Sequence, residues 1–442
     1  MKNFKDSGIE WLGEIPEHWE VVKIKFLAIF YTGDSIKDSE KHKYCFLNNS
    51  IPYISTKDIN INTNVIDYNN GMFIEKNDAN FKRAYKNSIL LCLEGANAGK
   101  KIAFLYKEVC FVNKLCCISS KTEKLNSKFL FYFLQSVFFK NAFIANIRGL
   151  IGGITTDQLG NFYILFPPLK EQEQIANFLD EKCEKIKNFI EKKEKLINLL
   201  KEQKQALINE TITKGLDKNV NFKDSGIEWL GEIPQHWEIK KLKMLFILGN
   251  GLNITKADFV SYGIPCVSYG EIHSKYPCRL NATIHTLPFV SKTHLADKPQ
   301  SLLQKGDFVF ADTSEDIEGS GNFTSIQSDT PIFAGYHTIT LKSKGKINSL
   351  YFSFLFDSIF TRNQIRKEVC GVKVFSVTKS ILKEVQCLIP SLKEQEQIAN
   401  FLDKKCGKID LLIEKTEKQI KLIKEYKTTL INQAVCGRIG KG

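Results

Sequence analysis

The sequence predicts an α+β protein of two α/β domains, each followed by a long helix. The two helices pair as an antiparallel coiled coil, and the whole chain is a pseudo-twofold tandem repeat. Two repeated phrases and one periodic pattern carry that expectation. The phrase "NFKDSGIEWLGEIP" stands at Asn3 and again at Asn221, 218 residues on, and "LKEQEQIANFLD" is identical at Leu169–Asp180 and Leu392–Asp403, 223 residues on. Repetition over such a distance makes the chain two copies of one unit. After each copy of the second phrase, apolar residues recur at spacings of three and four, the period of a helix with one buried stripe.

In chain order, residues 1–20 form the first repeated segment, 21–168 a domain and 169–216 a long helix. Residues 217–238 form a linker with the second repeated segment, 239–391 a second domain, and 392–442 a second long helix with a tail. Trp11, Leu12, Ile15, Pro16 and Trp19 read as a packed lead-in to the first strand. Packing alone tolerates drift between copies, so near identity around Trp11 and Trp229 points to an invariant neighbour, either the end of the opposite copy's helix or a partner docked on it. Between the phrases the copies diverge, yet "IPYISTKDI" (Ile51–Ile59) stands opposite "IPCVSYGEI" (Ile264–Ile272), and "NSKFLFYFL" opposite "NSLYFSFLF". One fold thus carries two different surfaces. Short β-like runs such as "SILLCL" and "GDFVFA" alternate with Gly and Asn turn signals before a Phe-rich helical stretch.

The helices are the clearest elements. The first seam runs through Ala176, Leu179, Cys183, Ile186, Ile190, Ile197, Leu200 and Leu207, with polar breaks at Lys193 and Lys204. The second runs through Ala399, Leu402, Cys406, Ile409, Ile413, Ile420, Ile423 and Leu430, broken at the matching Thr416 and Lys427. Acidic Glu171 and Glu173 suit the positive end of the first helix dipole, and Gly215 and Gly437 suit the ends. About 43 residues at a rise of ~1.5 Å make a rod on the order of 65 Å that is unstable with its seam in water, so each helix needs the other. A pseudo-twofold axis across the helices makes them antiparallel; the sequence by itself leaves a parallel pair open.

Composition bounds the function. At 442 residues the chain holds two to four domains, and 43% hydrophobic with 25% charged residues is ordinary for a globular protein. Sixty-two Lys and Arg against 49 Asp and Glu leave a net charge of +13, which favours a polyanionic partner. Twelve cysteines without a Cys-x-x-Cys pair read as buried reduced thiols. The N-terminus has no apolar signal region, and the longest greasy run, Phe129–Phe139, is too short for a bilayer. A cytoplasmic protein is expected.

The order and duplication of "WLGEIPEHW" and "WLGEIPQHW", "IPYISTKDI", "PPLKEQEQI" and "PSLKEQEQI", each pair leading into a long helix, closely resembles the specificity subunit of type I restriction-modification systems. The resemblance covers essentially the whole chain. It implies two target-recognition domains that each read one half of a split double-stranded DNA sequence, and a helical spacer that binds two methyltransferase subunits. In a complete system endonuclease/translocase subunits join them. It implies no cofactor here, with S-adenosylmethionine and ATP/Mg held only by partner subunits. The residues agree independently: identical segments imply one kind of partner bound twice, and diverged domains imply two targets. Two other readings are a self-contained DNA-modifying enzyme and a coiled-coil scaffold whose basic charge is incidental.

Base edges are read by polar and basic side chains on loops, while surrounding Lys and Arg bind phosphate. In the first domain the candidates are Tyr53, Ser55 and Lys57, Lys82 with Arg83, Asn97, Lys100 and Lys101 of "EGANAGKK", and Arg148 beside "GLIGG". In the second they are Ser268, Tyr269, Thr313, Ser314, Tyr336, His337, Arg362, Arg366 and Lys373. Candidates for partner docking are Trp11, Trp229 and the seam residues Ile190, Ile197, Ile413 and Ile420. "EGANAGKK" is not a phosphate loop, since Gly95 and Gly99 stand one residue too close and Lys101 occupies the Ser/Thr position. "FPPL" at Phe166–Leu169 lacks the amide or acid of an amino-methyltransferase motif, and the seven histidines show no metal spacing. No catalytic apparatus or metal site is expected.

Overall fold

The computed structural model describes residues 3–9, 13–45, 49–148, 152–369, 371 and 374–438. Two helices dominate it, α1 (Leu169–Lys214) and α2 (Leu392–Val435). The chain divides into two compact units, Met1–Glu194 with Glu417–Gly442, and Lys195–Thr416. The boundary does not fall between the copies; it cuts both helices.

Each unit shows why. In the first, Ala176, Leu179 and Ile186 of α1 share a core with Leu430, Ile431, Ala434 and Val435 of α2. In the second, Ile208 and Ile212 near the end of α1 pack with Ile398, Ala399, Leu402 and Cys406 near the start of α2, and Lys204 reaches Asp410 at 2.7 Å. The start of one helix meets the end of the other in both units, so the pairing is antiparallel. The seam residues are buried or half-buried as their spacing requires.

The first domain has an antiparallel sheet in the order Ala28–Thr32, Leu115–Ser120, Ile89–Cys92 and Ile102–Phe104. A mixed sheet runs Phe73–Glu75, Ser50–Ile54, Val109–Phe111 and Arg83–Ala84, and its central pair is parallel. The second domain repeats both. Its larger sheet gains Cys278–Leu280 as an added strand, and its mixed sheet again pairs the Ile-Pro strand, Ile264–Val267, in parallel with Ile332–Ala334. Phe-rich helices cover the larger sheets: Phe129, Phe133, Phe139 and Phe143 are buried in the first domain, and Phe352, Phe356 and Phe360 in the second.

First and last strands close each domain. Glu20–Lys23 pairs antiparallel with Tyr163–Phe166, and Glu238–Lys241 with Gln386–Ile389. That zipper places the repeated phrase beside the start of the following helix, where the two phrases interlock. The buried Trp19 indole donates to Glu171 Oε2 at 3.1 Å, and His18 meets the same carboxylate. Gln172, also buried, accepts from the Asn126 N–H at 2.8 Å and donates to the Pro167 carbonyl at 2.8 Å. Trp237, His236, Glu394 and Gln395 repeat all of this in the second unit. An indole moved out of water contributes on the order of 2–3 kcal/mol, and its N–H must find a partner when buried. Glu171 and Glu394 supply it.

The C-terminal end of the opposite helix completes each socket. Gly437 has φ +71° and lies against Pro16 and Trp19, while Gly215 has φ +73° and lies against Trp237. Both glycines stop their helices in the left-handed conformation that disfavours a side chain. One turn earlier, Asn432 Oδ1 accepts from the Val137 N–H at 2.9 Å and Asn209 Oδ1 from the Ile359 N–H at 2.8 Å. Each domain is thus held by the start of its own helix and the end of the other. All eleven described cysteines are free and eight are buried; burial pushes the Cys110 and Cys436 thiols up to about 11.

Candidate nucleic-acid interface

In both domains the loops that carry the candidates are brought together by the sheets. The Ile-Pro strand runs into a turn closed by an acidic side chain: the Asp58 carboxylate accepts from the Ser55 N–H at 2.8 Å, and the Glu271 carboxylate from the Ser268 N–H at 3.1 Å. The Ser-x-x-Asp/Glu spacing is a helix-start signature, and both turns close as capping boxes. Beside this turn lies the loop after the central strand of the larger sheet, residues 93–101 in the first domain and 312–322 in the second. A third loop bridges to it, through Glu94 and Gly153 in the first domain and through Thr313–Ser314 with Phe375–Ser376 in the second.

The first domain gathers Lys57, Asn97, Lys100, Lys101 and Arg148 on these loops. Lys101 Nζ donates to the Thr56 carbonyl at 2.6 Å, which ties the "EGANAGKK" loop to the "YISTK" turn. Lys57, Lys100 and Arg148 are exposed. Tyr53, Lys82 and Arg83 form a separate group built around Asp34: its carbonyl accepts from the Tyr53 hydroxyl at 2.6 Å and its carboxylate from the Lys82 N–H at 2.7 Å. Arg83 is paired with Glu108 at 3.3 Å and donates to the Lys76 carbonyl. Tyr53 itself is buried, and burial pushes its phenol up to about 12.

The second domain forms an aromatic cluster. The Tyr269 ring lies 5.4 Å from His337 and 5.7 Å from Tyr336, with His273 at 6.2 Å. Asp312 accepts from Thr313 Oγ1 at 2.7 Å and meets His337 Nδ1 at 3.1 Å. His337 stands at φ +55°, a left-handed conformation uncommon outside glycine that marks functional loops when the surroundings enforce it.

Several candidates sit differently from their expected role. Tyr53, Ser268 and Ser314 are buried within their domains, which removes their side chains from the surface. Arg362 is only 13% exposed, with one guanidinium arm on Asp357 and the other on Asn322. Arg366 donates to the Glu318 carbonyl. Ile197 and Ile420 are buried and Ile190 and Ile413 half-buried, as seam positions of the helices require. Trp229 is 51% exposed and leans on Phe360 at 5.4 Å. Trp11 and Lys373 lie outside the described residues. The sequence marks Glu171 only as a helix-dipole residue and does not single out Gln172, Gln395, Asn209, Asn432 and Asn322, though "KEQ" and "LIN" recur in both helices. Among the described residues no group of three or more His, Cys, Asp or Glu is placed to hold a metal, and no helix is long and apolar enough to cross a membrane.

Comparison with known proteins agrees in sequence and in fold. A family model described as the type I restriction modification DNA specificity domain matches residues 16–209 and 234–422. The type I restriction enzyme MjaVIII specificity subunit of Methanocaldococcus jannaschii is 27% identical over 99% of this chain and 96% of its own length. The putative type I restriction enzyme MjaX specificity subunit of the same organism is 25% identical over 99% and 97%. A chain solved in work on complex assembly and conformational transition of a type I R-M system superposes with TM-score 0.73 at 15% identity, over 96% of this chain and 99% of that one. The HsdS subunit from Thermoanaerobacter tengcongensis gives TM-score 0.52 at 15% identity, over 96% and 98%. Two tandem copies of the domain, in the order and places of the repeated phrases, make this chain a member of the type I restriction-modification DNA specificity family.

Proposed function

We propose that the chain reads an asymmetric, two-part DNA sequence, one half per domain, and recruits two methyltransferase subunits to it. The observation that carries this reading is the contrast inside each unit: the framework is the same, while the exposed loops present Lys and Arg in the first domain and Tyr, His and Thr in the second. A single target read twice needs no such difference. Exposed Lys57, Lys100 and Arg148 suit phosphate or guanine, and the Tyr269, Thr313 and His337 cluster suits a mixed donor and acceptor edge.

Partner docking falls to outward side chains rather than to the seam. Phe189 and Leu412 occupy equivalent helix positions, as do Leu199 and Leu422, and all four are between 39% and 54% exposed. Apolar exposure duplicated at the same register fits the same partner bound twice. In this reading the chain supplies no catalytic group and works in the cytoplasm; S-adenosylmethionine, and ATP with Mg where an endonuclease/translocase subunit joins, belong to the partners. Mapping methylated adenines in cells that carry this chain with a methyltransferase should yield one bipartite motif. A methylome without any bipartite motif contradicts the proposal.

A further inference from the structure

We infer that Arg362 and His273 determine which bases the second domain accepts without touching DNA, by fixing the 312–322 loop from beneath. The inference rests on the reading of that domain as a DNA reader. An unbroken relay of hydrogen bonds carries it. Gln205 Nε2, on α1, donates to the Asp357 carbonyl at 3.1 Å, and the Asp357 carboxylate accepts from Arg362 at 2.9 Å. The other arm of Arg362 donates to Asn322 Oδ1 at 2.9 Å. Asn322 Nδ2 donates to His273 Nδ1 at 2.9 Å, and His273 Nε2 donates to the Thr313 carbonyl at 2.8 Å.

The direction of every bond is forced. A guanidinium only donates, so Asn322 turns its oxygen to Arg362 and its amino group to His273. His273 Nδ1 must then be the bare nitrogen, and its proton sits on Nε2, where the Thr313 carbonyl accepts it. Thr313 and its neighbour Asp312 hold His337, whose backbone carbonyl also accepts from the Asp312 N–H at 3.1 Å. Gly319 closes over the relay: a Cβ there would meet Ser314 Oγ at 2.5 Å and His273 Cε1 at 3.4 Å. The cluster around exposed His337 is therefore set by half-buried polar groups tied to the long helix.

Among the described residues the first domain shows no such relay. Lys140, Lys101 and Asn60 occupy the positions of Arg362, Asn322 and His273, and Lys101 turns instead to the Thr56 carbonyl. Loss of the relay should consequently affect one half-site only.

The test uses the full chain with its methyltransferase partner and duplexes carrying the mapped motif, with each half-site altered in turn. Arg362→Met and His273→Phe should each reduce discrimination at the second half-site by roughly tenfold, the worth of one displaced base contact. First-half discrimination should stay intact. The salt dependence of binding should also stay unchanged, because no phosphate contact is lost; removing such a contact lowers the slope by about one. Melting temperatures measured alongside separate this from loss of fold. Second-half discrimination that stays at the wild-type level in both variants overturns the inference, as does a salt slope lowered by about one in Arg362→Met. Wild-type protein that fails to discriminate either half sinks the functional reading itself, a result visible before any variant is made.

Discussion

In the first socket Trp19 donates to Glu171 at 3.1 Å and His18 meets that carboxylate at 2.6 Å; in the second, Trp237 and His236 each reach Glu394 at 2.9 Å. The loops these sockets support share no such bond. A lysine reaching a backbone carbonyl fixes the first, and a five-member relay ending on a histidine fixes the second. The contrast separates two demands on one fold. Where a residue bonds to another repeated residue, change in one copy strands a buried polar group, so the phrases are locked together. Where a loop only has to be held still, any bond of sufficient strength serves, and the chemistry is free to follow the target.

The largest expected effect tests whether the sockets are equivalent. Trp19→Ala and Trp237→Ala should each cost about 3–5 kcal/mol, from a cavity plus the loss of the indole hydrogen bond to a carboxylate that keeps its histidine, and urea unfolding of the full chain should show the two losses within ~1 kcal/mol of each other. A large loss from only one of them breaks the equivalence. The helix ends sharpen it further. A Cβ at position 437 would come within 2.6 Å of Pro16 Cγ, whereas at 215 its nearest neighbour is Trp237 Cζ2 at 3.2 Å. Gly437→Ala should therefore cost more than Gly215→Ala, roughly 2–3 against 1–2 kcal/mol, since both also carry left-handed strain. The smallest framework effect is about 1 kcal/mol for Asn209→Leu or Asn432→Leu, each leaving one helix-start N–H without its acceptor; equal shifts in the urea midpoint are expected.

The loops should respond asymmetrically. Lys101→Met removes the bond to Thr56 and should relax the first half-site severalfold in a duplex competition assay while leaving the second alone, the mirror image of the His273 variant. Relaxation of both halves would mean that the loops are not independent readers.

The architecture was legible because it is written twice. Identical phrases gave the repeat, and the three-four spacing gave helices whose seam residues are indeed buried or half-buried. The site was legible only as a set of loops. "YISTK" and "IPCVSYG" place polar residues on or just after the Ile-Pro strand of the mixed sheet: Tyr53 and Ser268 look available in sequence but lie inside, Tyr53 opposite Cys110 in the parallel pair and Ser268 at the turn that follows Val267. Arg362 looked like a surface cation because its acceptors, Asp357 and Asn322, are respectively near in sequence but unremarked and forty residues away. Long-range polar pairing of this kind leaves no local pattern. The question raised by the repeated Trp phrase did receive an answer at Trp19 and Trp237, where the invariant neighbour is the opposite copy's helix end. Half-exposed Trp229 is left as a candidate for contact with a partner.

The central claim is that one duplicated framework carries two interchangeable readers. Replacing residues 239–391 with residues 21–168 places the first reader in both sockets. With the methyltransferase partner present, mapping of methylated adenines should then return a motif containing the first half-site twice and the second not at all. A folded chimera that still methylates the original second half-site would contradict the account.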